Sequence, residues 1–499
     1  MGFADDTVAM APSVPELQRA ADASFQYGRQ WRFNANVNKS AVVVFGTPAQ
    51  TVTEDTVSWD GAAVPRATEF PLLGCVLQSD GRWDAHVAKL KKEGKKRLHA
   101  LRSLFADHAF SIPCKLQFYK VYLRHKLEVG CAVWEPETQL GCDELERIQN
   151  QAVRLILGCA KATNVHAMLA ELGLEPLKSR RELAKLRWQY QVHNMDSARF
   201  PSLVYRNTAW PPRQGSRLKT WAQTVAAIWP TLGKDAAAAE ELLNSPTPAA
   251  FDRAVRDLVA ERDAQQLRQR MQASERMAVL ECIAVLGEAP GRAPARYLCG
   301  RGRLGAQLKF MYRSGTCPHL GVEKYYRRRR RVAAAAERVQ TRASSSYTAG
   351  RVQRAAALEA MAAIAAQAIA QDSEDDSDAA DSEDDADEQG GSDLSGGTGV
   401  VRRFATTPNC KCCPTVIEDI PHVLVDCPAY AAPRQALLAA LESRVPPAVF
   451  SRFLALPDSQ QRAAALLSDA VWGSDAACQW VDRRVKAFLL SIEALRVAQ

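Results

Sequence analysis

Three cysteines and one histidine near the end of the chain follow the spacing Cys410-x2-Cys413-x8-His422-x4-Cys427. Together they supply three thiolates and one imidazole, a set of ligands that tetrahedral Zn²⁺ accepts. Because the protein fills all four positions around the metal, such a site leaves no place for a reactive water and is structural. The spacing therefore predicts a small zinc knuckle, in which Cys412 is a spare thiol able to replace either neighbour.

The other cysteines do not suggest a framework of disulfide bonds. The chain has 13 cysteines in 499 residues, an odd number, and most of them are scattered. This favours a reducing compartment, in which free cysteines in a helical protein are the alternative to a zinc site. The N-terminus lacks the basic and apolar regions of a signal peptide, and no apolar run reaches the roughly 18 residues of a membrane span. We therefore expect an intracellular protein without a membrane partner.

Charge is distributed unevenly along the chain. Of the 56 acidic residues, 11 lie between Asp372 and Glu388 in a run without Lys or Arg, so the rest is more basic than the net charge of +8 suggests. This favours a polyanionic partner, although a merely soluble basic protein agrees equally well with charge alone.

The acidic run lies in a segment that is too polar to fold. Together with the Gly/Ser stretch that ends at Gly399, it cannot bury enough apolar surface. We expect a disordered insert after an Ala-rich helix that ends near Ala370. The insert serves either as a spacer or as a screen for the basic surfaces.

Two basic segments are candidates for contact with nucleic acid. The first is a predicted helix from Lys178 to His193, with Arg180, Arg181 and Lys185 among apolar and aromatic residues. Such a helix suits a nucleic-acid groove, and the alternative is a core helix with a solvated basic face. The second is a run of five arginines, which is also typical of a nuclear localisation signal. Its members are Arg327, Arg328, Arg329, Arg330 and Arg331.

The N-terminus contains two adjacent carboxylates, Asp5 and Asp6, before a short stretch that indicates a strand, Thr7–Met10. Aspartates favour turns, so we expect the pair at the tip of a hairpin. Such a tip can hold Mg²⁺, although an Asp-Asp dipeptide alone is more often a solvated turn. The next predicted segments are a helix with a capping box from Ser13 to Trp31, a turn at Lys39, a buried strand over Val42–Phe45, a hairpin at Asp60-Gly61 and an apolar strand over Phe70–Leu77.

In this order and at this spacing, the segments resemble the later palm motifs of reverse transcriptases from non-LTR (LINE-like) retrotransposons. The similarity lies in the Ala-Asp-Asp tip, the helix, the Asn-x-x-Lys-Ser turn and the Phe-x-x-Leu-Gly strand. It continues to about Met195 through segments that resemble the helical thumb region, namely Val129–Trp134, Leu145–Gly158 and Glu171–Leu177. The segment from Cys410 to Tyr430 resembles the C-terminal Cys-Cys-His-Cys knuckle of the same polymerases.

The resemblance implies RNA-directed DNA polymerase activity, with RNA and DNA as partners. Asp5 and Asp6 match the paired aspartates that hold Mg²⁺ in that family, Asp5 being the direct ligand. Lys39 matches the lysine placed near the phosphates of the incoming nucleotide, and an ordinary strand-edge lysine is the alternative. The segment from Phe70 to Val76 matches the strand that holds the primer terminus.

The chain departs from the family in one respect that bears on function. The polymerases need a further aspartate from an earlier palm strand and the fingers, which lie before the Ala-Asp-Asp motif, whereas this sequence starts two residues before Phe3. We expect a one-armed hairpin and a truncated enzyme that is inactive alone and uses Mg²⁺ only if active. Its partner is then the missing N-terminal part or another element-encoded chain, in a nuclear or cytoplasmic ribonucleoprotein. The alternatives are a non-catalytic zinc-knuckle protein that binds RNA or DNA, and a relic without function.

The expected fold class is α+β and mostly helical. A partial palm of hairpin strands and a helix precedes a helical thumb, a basic helical region, the disordered insert and the knuckle. The predicted boundaries are 1–80 for the palm, 81–200 for the thumb-like region, 201–340 for the basic helical region, 341–400 for the Ala-rich helix and linker, 401–440 for the knuckle and 441–499 for C-terminal helices.

Overall fold

The computed structural model describes residues 2–3, 6–32, 34–45, 56–107, 109–136, 138–161, 163–207, 220–274, 277–288, 293–300, 303–317, 409–469 and 471–498. These residues are mostly helical with short antiparallel hairpins, which confirms the predicted class. The predicted Ala-rich helix, acidic insert, Gly/Ser stretch and five-arginine run lie outside the described residues. The chain divides into two compact units. Unit 1 comprises Met1–Gly158, Met168–Arg270 and Pro290–Ala295, and unit 2 comprises Cys159–Ala167, Met271–Ala289 and Arg296–Gln499.

The N-terminal part of unit 1 contains short strands and one long helix. They are β1 (Gly2–Phe3), β2 (Asp6–Thr7), α1 (Val14–Trp31), β3 (Ser58–Trp59), β4 (Ala62–Ala63), β5 (Glu69–Leu72) and β6 (Cys75–Gln78). The strands pair antiparallel with their neighbours in sequence, and Phe3 lies opposite Asp6. The first hairpin therefore has two short arms instead of the single arm that we expected, and its strand ends at Thr7.

The helix α1 has the predicted boundaries but not the predicted cap. Ser13 occupies the N-cap position, and Pro15 lies in the first turn, where a missing N–H leaves no helical hydrogen bond unmade. The side chain of Ser13 accepts no capping hydrogen bond, so the expected capping box is absent at this helix.

Two strand predictions are wrong, and one hairpin prediction is confirmed. Within Val42–Phe45 only Val42 pairs with a residue of another segment, through an isolated β-bridge to Arg66. The apolar stretch Phe70–Leu77 is a hairpin because Leu73 and Gly74 adopt φ angles of 48° and 88°, which turn the chain back on itself. The same conformation occurs at Asp60 and Gly61, with φ angles of 53° and 75°, where the Asp-Gly pair predicts it.

From residue 84 to residue 272 the chain is largely helical. The elements are α2 (Asp84–Ala106), α3 (Ile112–Phe118), a π-helix (Tyr119–Arg124), α4 (His125–Leu127), α5 (Gln139–Leu157), α6 (Val165–Glu171), α7 (Leu177–His193), α8 (Phe200–Arg206), α9 (Trp221–Ala226), α10 (Ile228–Thr231), α11 (Ala236–Leu243) and α12 (Pro248–Gln272). The helices predicted at Leu145 and Lys178 are thus present as α5 and α7.

The helix α2 packs closely against α4 and α5. A Cβ atom added at Gly94 would lie 2.6 Å from Leu127 Cδ2 and 3.1 Å from Ile148 Cδ1, so a larger residue at this crossing would require the Leu127 side chain to move. The buried His86 ties the start of α2 to β6, since the Val76 N–H donates to His86 Nδ1 over 3.2 Å. Burial lowers the pKa of His86, which keeps this acceptor nitrogen free of a proton.

A cluster of buried apolar side chains in unit 1 surrounds α7. Apolar side chains of α7 and α9 to α12 pack together, and the rings of Tyr190 and Phe251 stack with their centroids 4.5 Å apart. The Trp229 indole donates to Gln189 over 3.1 Å, which satisfies its N–H within this core. This core leaves α7 surrounded by protein over much of its surface.

Unit 2 contains the C-terminal helices. After the end of α12 come α13 (Ala278–Val285), α14 (Arg296–Cys299), α15 (Arg303–Arg313), a π-helix (His422–Asp426), a 3₁₀-helix (Pro428–Tyr430), α16 (Ala431–Arg444), α17 (Pro447–Leu454), α18 (Ser459–Leu467) and α19 (Asp475–Ala498). Their buried core includes Trp472 and Phe453, with ring centroids 5.2 Å apart, and the sulfurs of Cys410 and Cys427. Among the described residues, no helix combines the length and apolar character needed to cross a membrane.

A buried ion network links three helices of unit 2 to the Asp469 loop. Lys309 Nζ lies 2.6 Å from Asp469 Oδ1 and 3.0 Å from Asp482 Oδ1. Lys486 Nζ lies 2.7 Å from Asp482 Oδ2 and donates to the Tyr297 carbonyl over 2.7 Å. Burial alone would raise the pKa of Asp469, but Lys309 is the main cation that holds it below its usual value. Four charges are thus paired away from water.

Candidate functional site

The four predicted zinc ligands come together. The ligand atoms of Cys410, Cys413, His422 and Cys427 all lie within 4.8 Å of one another. The sulfurs of Cys410 and Cys427 are 3.8 Å apart, and a tetrahedron with Zn–S bonds of about 2.3 Å has sulfurs about 3.8 Å apart. His422 Nε2 is buried and has no hydrogen-bond partner among the described residues, so it is available as a ligand. The donor set therefore fits Zn²⁺ in a closed site, as the spacing predicts.

A tight turn presents the first two ligands. The Cys410 N–H donates to the Val416 carbonyl over 2.8 Å, and the Val416 N–H returns to the Cys413 carbonyl over 2.9 Å. Within the turn, the Cys413 N–H donates to the Cys410 carbonyl over 3.2 Å. These bonds fold residues 410–416 back on themselves, which places the two sulfurs on the same side of the turn.

A widened helical turn presents the other two ligands. His422 and Cys427 are five residues apart, and the Cys427 N–H donates to the His422 carbonyl over 2.6 Å, the i to i+5 bond of a π-helix. Asp419 Oδ1 accepts the His422 N–H over 2.9 Å at the start of this turn. The four residues between His422 and Cys427 in the motif are thus the number that a π-turn requires between its two hydrogen-bonded residues.

The sulfurs are held in a setting that disfavours a bare thiolate. Burial raises the pKa of Cys427 to about 12, and the nearby Cys410 and Cys413 add to the effect. Three thiolates so close together repel one another unless a cation lies between them. A divalent metal would supply that charge, and its binding would release the thiol protons.

The knuckle is anchored to the helices of unit 2. Glu418, between the two ligand pairs, forms an ion pair of 2.8 Å with Arg496 in the last turn of α19. Arg434 of α16 donates to the Cys427 carbonyl over 2.8 Å. Cys412, by contrast, is exposed and is not part of the ligand set that the geometry defines.

The residues predicted for polymerase chemistry, Asp5, Asp6 and Lys39, do not form a site that the structure describes as it does the zinc ligands. Asp5 lies outside the described residues, Asp6 is exposed in β2, and Lys39 is exposed at the end of a 3₁₀ turn, Val37–Lys39. Among the described residues, no group of three or more metal-ligating side chains includes Asp6. The magnesium site therefore stays a prediction.

Two of the three basic side chains assigned to α7 are buried in the protein. Arg181 and Lys185 are each only 1% exposed, and Lys185 Nζ lies 2.7 Å from Glu135 Oε2. Burial lowers the pKa of Lys185. Arg180 forms a two-pronged ion pair with Glu128. Contact between these three side chains and phosphates would require displacement of their carboxylate partners. Arg181 and Lys185 are too deeply buried to belong to the solvated basic face of the alternative interpretation.

An exposed basic stripe, which the sequence analysis did not single out, lies instead on α2. It comprises Lys92, Lys95, Lys96, His99 and Arg102, all exposed. None of the ion pairs found between described residues involves a member of this stripe, whereas Lys91 pairs with Glu144 on another side of the helix. The helical spacing of the cations and the lack of any acidic residue from Gly94 to Ala106 are signals that the sequence did contain.

Comparison with known proteins finds similarity to a transposon protein. Over 168 residues, which are 32% of this chain and 18% of the relative, the sequence is 27% identical to a probable RNA-directed DNA polymerase from transposon X-element of Drosophila melanogaster. The match thus spans less than a fifth of that protein's length. No protein-family model matches the sequence, and no solved structure matches it.

Proposed function

We propose that this chain is a nucleic-acid-binding protein of the reverse-transcriptase type from a non-LTR retrotransposon. The similarity to a transposon RNA-directed DNA polymerase carries the proposal. The Cys3His set supports it, because the C-terminal segment resembles the knuckle of such polymerases. Zinc knuckles bind single-stranded nucleic acid, so RNA and DNA are the proposed partners.

Polymerase chemistry in this chain would involve Asp5, Asp6 and Lys39. In a two-metal site, Mg²⁺ stabilises the attacking and leaving oxygens of phosphoryl transfer. Two adjacent carboxylates are too few to hold such ions in a fixed geometry, because the geometry depends on several ligands from a rigid frame. We therefore propose that the chain binds a primed template but extends it only when a further aspartate comes from an N-terminal polymerase part or another element-encoded chain.

Primer extension with a binding assay on the same preparation tests this function. The substrate is a primed RNA template with Mg²⁺ and deoxynucleotides, and affinity is measured over a range of salt concentrations. We expect salt-sensitive binding without extension. Extension by this chain alone, lost in Asp5→Asn, would contradict the proposed lack of activity, whereas absence of any binding would overturn the proposed function as a whole.

The carboxylate pair should contribute little to affinity. Asp5→Asn and Asp6→Asn should each leave the Kd for a primed RNA template within about twofold, because phosphate contacts come from cations. Fluorescence anisotropy measures this, with the unprimed template as the control. A loss of affinity of tenfold or more would place the palm segment in the binding surface.

A further inference from the structure

One face of α2 concentrates basic side chains that take part in none of the ion pairs found between described residues. The basic stripe occupies positions i, i+3, i+4, i+7 and i+10, which lie on the same side of a helix, with neighbouring Cβ atoms about 5–6 Å apart. Like charges at these spacings destabilise an isolated helix. A polyanion along the stripe would reverse the sign of that interaction.

Two exposed aromatic rings lie beside α2, near Arg97, which is about 100° round the helix from Lys96. Phe118 and Tyr122 are 41% and 43% exposed, and they are four residues apart across the junction of α3 with the π-helix. Arg97 connects α2 to the π-helix, since its Cζ lies 4.6 Å from the centroid of the Tyr122 ring. Arg97 Nη1 also donates to the Tyr122 carbonyl over 2.7 Å.

The π-helix explains why these rings face outward. Tyr119 and Leu123, the neighbours of Phe118 and Tyr122 in sequence, are fully buried. They anchor the widened turn in the core of unit 1, and the Tyr119 hydroxyl donates to the buried Gln149. Single π-turns inside helices are often found at functional sites, because the extra residue redirects the side chains around it.

We infer that the basic stripe of α2, together with Phe118 and Tyr122, binds a single-stranded segment of nucleic acid. The inference rests on the proposed function and locates its binding surface. The stripe contacts consecutive phosphates, and the two rings stack on unpaired bases. A duplex keeps its bases stacked on one another, and an acidic peptide or a lipid headgroup has no base, so the combination of cations with exposed rings favours a single strand.

Charge removal on the full-length chain tests the phosphate contacts. The quadruple variant Lys92→Gln, Lys95→Gln, Lys96→Gln and Arg102→Gln should bind a 20-nucleotide single-stranded RNA on the order of 100-fold more weakly near 0.15 M salt. The plot of log K against the logarithm of the salt concentration has a negative slope, and its magnitude should decrease by about 3. Each of the four lost contacts with a single strand contributes about 0.7 to that magnitude. These side chains are exposed, so circular dichroism should show an unchanged fold.

A matched variant removes four exposed charges from another helix of unit 1. On α12, the changes are Arg253→Gln, Arg256→Gln, Arg268→Gln and Arg270→Gln. Acidic residues are interspersed on that helix, so this control should keep affinity within about threefold and keep most of the salt slope. Equal losses in the two variants would overturn the assignment to α2. If wild-type protein binds no RNA, the proposed function itself fails.

Replacement of the ring tests the base contacts separately. Tyr122→Ala should weaken binding by roughly 5- to 100-fold with an unchanged salt slope, since stacking involves no counterion release. Tyr122→Leu, which keeps apolar bulk beside Arg97, should lose a similar factor. On an abasic strand of equal length both variants should bind like wild type. An equal loss on the abasic strand, or tighter binding of duplex than of single strand by wild type, would overturn the inference of stacking.

Discussion

We expect Cys427→Ser to abolish stoichiometric zinc binding and to melt the C-terminal helices together with the knuckle. Cys427 is fully buried and belongs to the same core as Trp472 and Leu424. Structural zinc sites in small domains contribute about 10–16 kcal/mol of apparent binding free energy, which is at the same time folding free energy. Loss of one of four ligands therefore removes support from the whole of unit 2.

Native mass spectrometry gives the zinc stoichiometry, and a thermal melt with limited proteolysis reports the state of α16 to α19. The variant should contain no bound zinc at micromolar protein and should be cleaved within α16 under conditions that leave wild type intact. Cys412→Ser is the matched control, since that thiol is exposed in the same turn. One zinc per chain in Cys427→Ser would contradict the Cys3His site.

Lys309→Met should destabilise unit 2 by about 3–5 kcal/mol, the usual cost of breaking a buried ion pair by removal of one partner. Lys309 is fully buried between Asp469 and Asp482, so the variant leaves two buried carboxylates with less counter-charge. Chemical denaturation followed by circular dichroism measures the loss. Arg483→Met, at an exposed position of α19, should change stability by no more than about 0.5 kcal/mol. Equal effects of the two changes would show that the network contributes little.

The same network makes unit 2 sensitive to acid. A carboxyl whose pKa is depressed on folding contributes stability above its unfolded pKa, near 3.9 for Asp, and that contribution is lost as pH falls through the folded pKa. Asp469 is such a group, with Lys309 as the first of the cations that lower its pKa. Wild-type stability should therefore fall below about pH 4. In Lys309→Met this fall should be smaller, because the pKa of Asp469 is less depressed without Lys309 and less stability is left to lose in acid. Denaturation at a series of pH values measures the difference.

The sequence was most informative where the determining contacts are local. The zinc ligands are joined by a tight turn and a π-turn, so their spacing alone defines the site. The same holds for the Asp60-Gly61 hairpin. At Phe70–Leu77 the apolar composition favoured one strand, but the Leu73-Gly74 turn divides it into two.

Long-range partners limited the prediction of the nucleic-acid surface. Lysines and arginines on a helix look alike in sequence whether they face solvent or a carboxylate from another element. Lys185 of α7 is neutralised by Glu135, 50 residues earlier, and only the fold brings them together. On α2 the helical period of the basic residues and the run from Gly94 to Ala106 without an acidic residue could have indicated an exposed stripe.

The anchoring of the knuckle has a consequence for evolution and for protein engineering. Zinc knuckles are usually treated as modules that can be moved between proteins. Here Glu418 pairs with Arg496, almost 80 residues later, and two ligand sulfurs are part of the helical core. A transplant of residues 409–430 alone would leave these partners behind, so the unit that recombination can pass on intact is the knuckle together with its helices.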